Sequence, residues 1–311
     1  MAFLAVAVGI FLLIKGGDWL MRSAVALSLR FSIPKIVIGM TVVSFATSAP
    51  ELIVSVQSAL SGHPDLALGN VVGSNIANLG FVLAITIMIS PIDVTPSFYR
   101  TDWPMMIFAS LLFYFFLVLD YQLVAYEGAI LFVLLLCFMV YLIKFQKQAV
   151  LDEAPEDEEA LGSSNTMTYL VLGGFSLWLG SETLIKGAVS LAQNLGVSER
   201  IISVSIVSVG TSIPELSASI IAIINKEKAI SLGNLIGSNI FNILAVMGIT
   251  AMIHPVAVED TGLLSNDIWW MFGISLLILP LVFFPKGALL GWIDGLILIT
   301  LYCIFILPLF M

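Results

Sequence analysis

"LGNVVGSNIANL", Leu68–Leu79, returns 164 residues later as "LGNLIGSNIFNI", Leu232–Ile243. The same offset carries Thr47, Ser48, Pro50 and Glu51 of "TSAPE" onto Thr211, Ser212, Pro214 and Glu215 of "TSIPE". Working outward without a gap, Gly16 falls on Gly180, Asp18 on Glu182, Leu20 on Leu184, Arg22 on Lys186 and Pro91 on Pro255. So many matches at one offset make the chain an internal repeat, the feature to seek before any other.

Both copies lie among long apolar runs. Of the 311 residues, 59% are hydrophobic and 11% charged, too little polar surface for a soluble domain of this length. Runs of about twenty residues cross roughly 30 Å of hydrocarbon as helices. They recur at 2–21, 36–60, 67–90, 103–119, 124–145, 167–192, 201–224, 230–253, 267–284 and 288–309. They do not alternate as transmembrane strands do. The expectation is therefore an all-α polytopic membrane protein with ten transmembrane helices. Five spans per copy is an odd number, so the second copy enters the membrane upside down, an inverted-topology repeat. The expected division is a first five-helix repeat at 1–146, an acidic linker at 147–165 and a second, inverted repeat at 166–311.

The linker contains "LDEAPEDEEALGSSN" (151–165) and much of the net charge of -9. That composition reads as a solvated hinge. Lysine and arginine set the orientation. With the N-terminus outside, the inner loops and ends carry Arg22, Arg30, Lys35, Arg100, Lys144, Lys147, Lys226, Lys228 and Lys286, and the outer side little more than Lys186 and Arg200. Both termini are then expected outside and the linker in the cytoplasm. The first run lacks a basic leader and an A-x-A site, so it reads as a span and not a removed signal. Cys137 and Cys303 lie in separate runs with no disulfide or metal spacing; small packing residues are expected there.

A proline and a glutamate are out of place in apolar spans. Pro50 has no N–H to donate and clashes with the carbonyl of Ala46. A freed carbonyl in hydrocarbon must find a ligand, water or a neighbouring helix. Ser44, Thr47, Ser48 and Glu51 surround it with hydroxyls and a carboxylate, and Ser208, Thr211, Ser212 and Glu215 repeat the set. These are hard oxygen donors, suited to Na⁺ and Ca²⁺ rather than soft metals. An ionisable group at mid-membrane costs about 2.5–3.5 kcal/mol on insertion scales, and two neighbouring carboxylates repel. One Ca²⁺ or two Na⁺ would balance the two charges, which makes the pair a natural competition site. In "GNVVGSNIANLG" and "GNLIGSNIFNIL", Gly69 and Gly73, like Gly233 and Gly237, stand at the spacing that lets helix backbones approach closely. Ser74 and Ser238 offer hydroxyls, and Asn75, Asn78, Asn239 and Asn242 offer amide oxygens, Asn78 and Asn242 on the faces of those serines.

The doubled segments resemble the two repeats of the Ca²⁺/cation antiporter superfamily, and are most similar to the prokaryotic sodium/calcium exchangers. The resemblance covers nearly the whole chain. It implies a secondary antiporter exchanging Na⁺ for Ca²⁺ by alternating access, exporting Ca²⁺ across the inner (plasma) membrane. Glu51 and Glu215 would be the central Ca²⁺ ligands, and Thr47 and Thr211 would add oxygens. Ser44, Ser48, Ser74, Ser208, Ser212 and Ser238 would help form flanking Na⁺ sites, and Asn78 and Asn242 would hold the middle of the cluster. The first and sixth spans would slide against the core. One position departs from part of the family: some relatives have aspartate where this chain has Asn242. The site then holds two carboxylates rather than three, which argues against potassium dependence or strong proton coupling. A Ca²⁺/H⁺ exchanger of the same superfamily is the alternative, because carboxylates carry protons, and a cation channel is a further one.

Beyond the transported ions and the lipid bilayer, no cofactor and no nucleic acid is expected, and the chain reads as a monomer. Nothing resembles a nucleotide-binding loop or a catalytic triad, so an enzyme is not expected. Asp18/Arg22 and Glu182/Lys186 read as i, i+4 ion pairs at the ends of spans one and six. His63 and His254 read as loop residues, and "FYFF" (113–116) and "WW" (269–270) as lipid-facing or interfacial aromatics.

Overall fold

The computed structural model describes residues 2–145, 163–194, 210–284 and 287–310. In chain order the elements are α1 (Ala2–Phe31), α2 (Lys35–Thr47), α3 (Ala49–Leu60), α4 (Pro64–Ile89), β1 (Ile92–Asp93), α5 (Phe98–Asp120), β2 (Gln122–Leu123) and α6 (Ala125–Phe145). They continue as α7 (Ser163–Asn194), α8 (Ile213–Ile224), α9 (Lys228–Ile253), β3 (Val256–Ala257), α10 (Leu263–Phe283), β4 (Leu289–Leu290) and α11 (Trp292–Ile306). Ser163 opens α7 inside the segment expected as linker; the rest of that segment lies outside the described residues.

The molecule is a helical membrane protein. Six helices (α1, α4, α5, α6, α9 and α10) are long and apolar enough to span a bilayer, and the bent pair α2–α3 makes a seventh. The other three expected spans fall short for separate reasons. At 32 residues α7 is long enough but less apolar. The twelve-residue α8 begins only at Ile213, and the stretch before Gly210 is not described. The fifteen residues of α11 reach about 22 Å at 1.5 Å per residue, and a 3₁₀ turn, Leu307–Phe310, continues the chain.

The 164-residue offset persists in the backbone. Both copies of the asparagine-rich helix widen to π geometry at the same place, Asn78–Leu83 in α4 and Asn242–Met247 in α9. The expectation of helices alone missed four two-residue strands. β1 pairs antiparallel with β4 (Ile92 opposite Leu290), and β2 with β3 (Gln122 opposite Ala257). The 23-residue α5 separates β1 from β2. That is a membrane's thickness, so the two ladders sit at opposite ends, each tying one half to the other.

Two close seams join the halves. Along the first, α1 and α7 run antiparallel. A Cβ on Gly9 would stand 2.7 Å from the Leu184 nitrogen, one on Gly16 2.8 Å from Leu177 nitrogen, and one on Gly173 2.7 Å from Leu20 nitrogen. Low numbers on one helix meet high numbers on the other. Along the second, α2 presses on α9. A Cβ on Gly233 would collide with the Ile36 carbonyl oxygen, and one on Gly237 with Ser44 Oγ and the backbone of Met40. Only hydrogen fits at these contacts, so Gly233 and Gly237 are contact points between halves; their counterparts Gly69 and Gly73 are not, since a Cβ on either would meet nothing within 4 Å.

Several peripheral expectations need correction. The ion pairs Arg22–Asp18 (3.1 Å) and Lys186–Glu182 (2.8 Å) form, but well inside α1 and α7, because those helices run further than the apolar runs suggest. Cys137 and Cys303 are exposed on helix faces rather than packed inside. Of the 113–116 aromatics, Phe113 and Phe116 are buried and Phe115 faces outward. Four consecutive helical residues point in four directions, so a run cannot share one environment.

Gly233→Val should lower the stability of the purified protein by about 1–3 kcal/mol, the usual range for overpacking. The expected readout is a lower midpoint of thermal unfolding in detergent. An unchanged midpoint would mean that α2 and α9 separate without loss.

Candidate cation site

The two glutamates are placed by a matched pair of helix breaks. The chain leaves helical geometry at Ser48 (φ -88°, ψ 4°) and again at Ser212 (φ -87°, ψ 4°). The first break bends α2 from α3 by 45°. Pro50 and Pro214 then fall in the first turn of the next helix, where a missing N–H is no loss. Glu51 and Glu215 occupy the same first turns, at the positive ends of α3 and α8. Both are fully buried.

Serine followed three residues later by glutamate is the spacing of a capping box. Neither serine caps its helix. Ser48 Oγ instead donates to Glu215 Oε1 across the halves at 3.4 Å. Both carboxylate oxygens of Glu51, and Oε2 of Glu215, have no hydrogen-bond partner among the described residues. No lysine or arginine is paired with either carboxylate among the described residues. A buried carboxylate without a partner is stabilised by taking up a cation or a proton.

The predicted oxygens divide into three groups. Some stand in cross-half contacts. Thr47 Oγ1 lies 3.2 Å from Asn234 Oδ1 and 3.3 Å from Ser238 Oγ. A second group has its acceptor side unused: the Oδ1 atoms of Asn78 and Asn242 and Oγ of Ser212 are buried without partners. α3 packs against the π segment opening at Asn242, and α8 against the one opening at Asn78, which brings each amide to the opposite half's glutamate helix. The third group is occupied by helix packing. Ser44 Oγ reaches the carbonyls of Gly39 (2.8 Å) and Asn234 (2.9 Å), and Ser74 Oγ donates to the Asn70 carbonyl. Thr211 is half-buried at the second break. Ser208 lies outside the described residues.

Two asparagines absent from the expected set belong beside it. Asn70 Nδ2 donates to the Glu51 carbonyl (3.3 Å) and to Ser55 Oγ (3.0 Å), and Asn234 accepts from Thr47. The signal for them was present: "GN" opens both copies of the repeated motif. In sequence that signal is masked by the neighbouring glycines, whose spacing already explains the motif as packing.

The chain matches the family model described as "Sodium/calcium exchanger protein" over residues 1–144 and 166–311. It is 36% identical to a putative antiporter, CaxA, of Alkalimonas amylolytica, over 97% of this chain and 96% of that one. It is 28% identical to the sodium/calcium exchanger MaX1 of Methanosarcina acetivorans, over 99% and 98%. A solved structure of the sodium-calcium exchanger NCX_Mj, soaked with Na⁺ and Ca²⁺, superimposes with a TM-score of 0.81 at 25% identity, covering 100% of this chain and 99% of that one.

Unpartnered buried carboxylates make a stability prediction. In chelator, Glu51→Gln should unfold at a higher temperature than the wild type, because an amide removes about 1–3 kcal/mol of uncompensated burial. Added Ca²⁺ should stabilise the wild type and leave the variant unmoved. Equal Ca²⁺ shifts in both proteins would show that the ion binds elsewhere.

Proposed function

The chain belongs to the sodium/calcium exchanger protein family, and from that premise we propose that it exchanges Na⁺ for Ca²⁺ across the membrane, exporting Ca²⁺. It is a cation antiporter by family. The observation that carries the finer reading is the pair Glu51 and Glu215, buried at matched helix breaks with three of their four carboxylate oxygens unpartnered among the described residues.

Two negative charges balance one Ca²⁺ or two Na⁺. The carboxylates would hold Ca²⁺, with Thr47, Thr211, Asn78 and Asn242 adding neutral oxygens. Ser44, Ser48, Ser74, Ser208, Ser212 and Ser238 would contribute to flanking Na⁺ positions. Ser44 and Ser74 would have to exchange their present carbonyl partners for an ion. Because both ions need the same carboxylates, they compete, and competition for one site couples their movements. The architecture that serves this is ten helices in two inverted five-helix repeats, 1–146 and 166–311, joined by an acidic cytoplasmic linker at 147–165. Matched breaks, matched π segments and the paired end ladders support it. Both termini would face outside in the inner (plasma) membrane, and α1 with α7 would slide against the core to expose the site to alternate sides.

Reconstituted protein should take ⁴⁵Ca²⁺ into vesicles loaded with Na⁺ and diluted into Na⁺-free buffer. Glu51→Gln and Glu215→Gln should each reduce that uptake to the level of protein-free vesicles. Wild-type flux from either variant would remove the glutamates from the mechanism. Uptake driven by a pH gradient in place of the Na⁺ gradient would identify a proton exchanger, and uptake with no counter-gradient a channel.

A further inference from the structure

Four asparagines at the crossing of α4 and α9 form a closed, two-fold bracket. Asn75 Nδ2 donates to the Asn239 carbonyl, and Asn239 Nδ2 to the Asn75 carbonyl, each at 3.3 Å. The other hydrogen of each amide points to a methionine sulfur 3.8 Å away, Met271 for Asn75 and Met106 for Asn239. Asn242 Nδ2 donates to Asn75 Oδ1 at 3.0 Å, and Asn78 Nδ2 to Asn239 Oδ1 at 3.2 Å. All four side chains are buried.

The polarity of this bracket is forced from its root. A backbone carbonyl and a thioether sulfur only accept, so the nitrogens of Asn75 and Asn239 must face them. Their oxygens must then face Asn242 and Asn78. An oxygen only accepts, so those two residues must present their nitrogens to it. Their own oxygens are left pointing away from the bracket, and these are the buried Oδ1 atoms without partners. An isolated amide rotates to show either end; these cannot.

We propose that Asn75 and Asn239 are positioning residues: each fixes the amide of the opposite half's ligand asparagine so that oxygen, not NH₂, is offered to the transported cation. The proposal rests on the cation-exchange reading of the site. A flipped amide would direct two N–H donors at a cation and be repelled. Asn75 thus acts through Asn242, and Asn239 through Asn78, in the way that outer-shell hydrogen bonds orient metal ligands.

The test uses aspartate as a ligand that needs no orienting, since either of its oxygens can face the ion. Asn75→Leu, Asn242→Asp and the double variant are compared with the wild type as purified full-length chains. Ca²⁺ half-saturation is read from Ca²⁺-dependent thermal stabilisation and from Na⁺-driven ⁴⁵Ca²⁺ uptake. Asn75→Leu should raise half-saturation about 10-fold, the lower end for loss of an outer-shell partner, with a smaller change in maximal flux. In the Asn242→Asp background the same substitution should leave half-saturation unchanged. An equal rise in both backgrounds, or no rise in the first, overturns the proposal, because a packing role is blind to residue 242. A wild type that neither binds nor moves Ca²⁺ overturns the functional reading instead. Should Asn75→Leu not fold, the two-fold counterpart, Asn239→Leu with Asn78→Asp, gives the same comparison.

Discussion

Two carboxylates, fully buried with no basic partner among the described residues, are the constraint on which the structure depends. Burying one ion without compensation costs several kcal/mol, and burying a like-charged pair costs more. The fold offsets part of this itself. Each glutamate sits in the first turn of a helix, where the macrodipole is positive. The helix has to begin there, so the chain has to break at Ser48 and Ser212. The proline two residues on prevents the preceding helix from running through. Break, proline and glutamate are one device, and the remaining cost of burial is what the proposed cation would offset.

Ser48 of one half reaches Glu215 of the other, so the halves must interlock closely. The glycines enforce this. α2 lies against α9 so tightly that Gly233 and Gly237 have no room for a methyl group, and Ser44 bonds to the Asn234 carbonyl across the seam. At the membrane ends the short ladders β1–β4 and β2–β3 again join one half to the other. Lys35 pairs with Glu227 at 2.7 Å, largely buried, binding the start of α2 to the residue that precedes α9. These contacts hold the halves in register, and register decides whether Ser48 meets Glu215.

Much of this was legible in the chain. Glu51 and Glu215, the prolines beside them and the repeat itself all follow from identities at one offset, but the offset does not tell Gly233 and Gly237, which touch the other half, from Gly69 and Gly73, which touch nothing. What stayed hidden depends on facts that a repeat does not encode. The offset cannot say which hydroxyls face the site and which face a carbonyl, so Ser44 and Ser74 looked equivalent to Ser48 and are found bonded to backbone. Nor does it show that four identical asparagine positions fall into two roles. In sequence, Asn75 and Asn78 differ by one turn of helix; in space, one reaches the partner backbone and the other is left with a free oxygen. The strands were invisible because two residues give no periodicity. The ion pairs on α1 and α7 were misplaced because apolar runs end before the helices do.

The asparagine bracket also bears on why these positions carry amides. A carboxylate at 242 would need no orientation, but it would add a third negative charge to an interior that already holds two. An amide keeps the charge at two and supplies an oxygen, with the drawback that its other end is a donor of the wrong sign. That drawback is removed by tying the donor to a neighbour whose own orientation is fixed by main-chain carbonyls. The carbonyls of Asn75 and Asn239 lie just ahead of the turns where α4 and α9 widen to π geometry. The direction of the ligand oxygens is therefore set by backbone, the least adjustable part of the chain, and it is set reciprocally. Asn75 of the first half holds the amide of Asn242 in the second, and Asn239 of the second holds that of Asn78 in the first. A neutral ligand set of this kind can form only when the two halves meet in register, so the polarity of the site and the pairing of the repeats are one structural requirement.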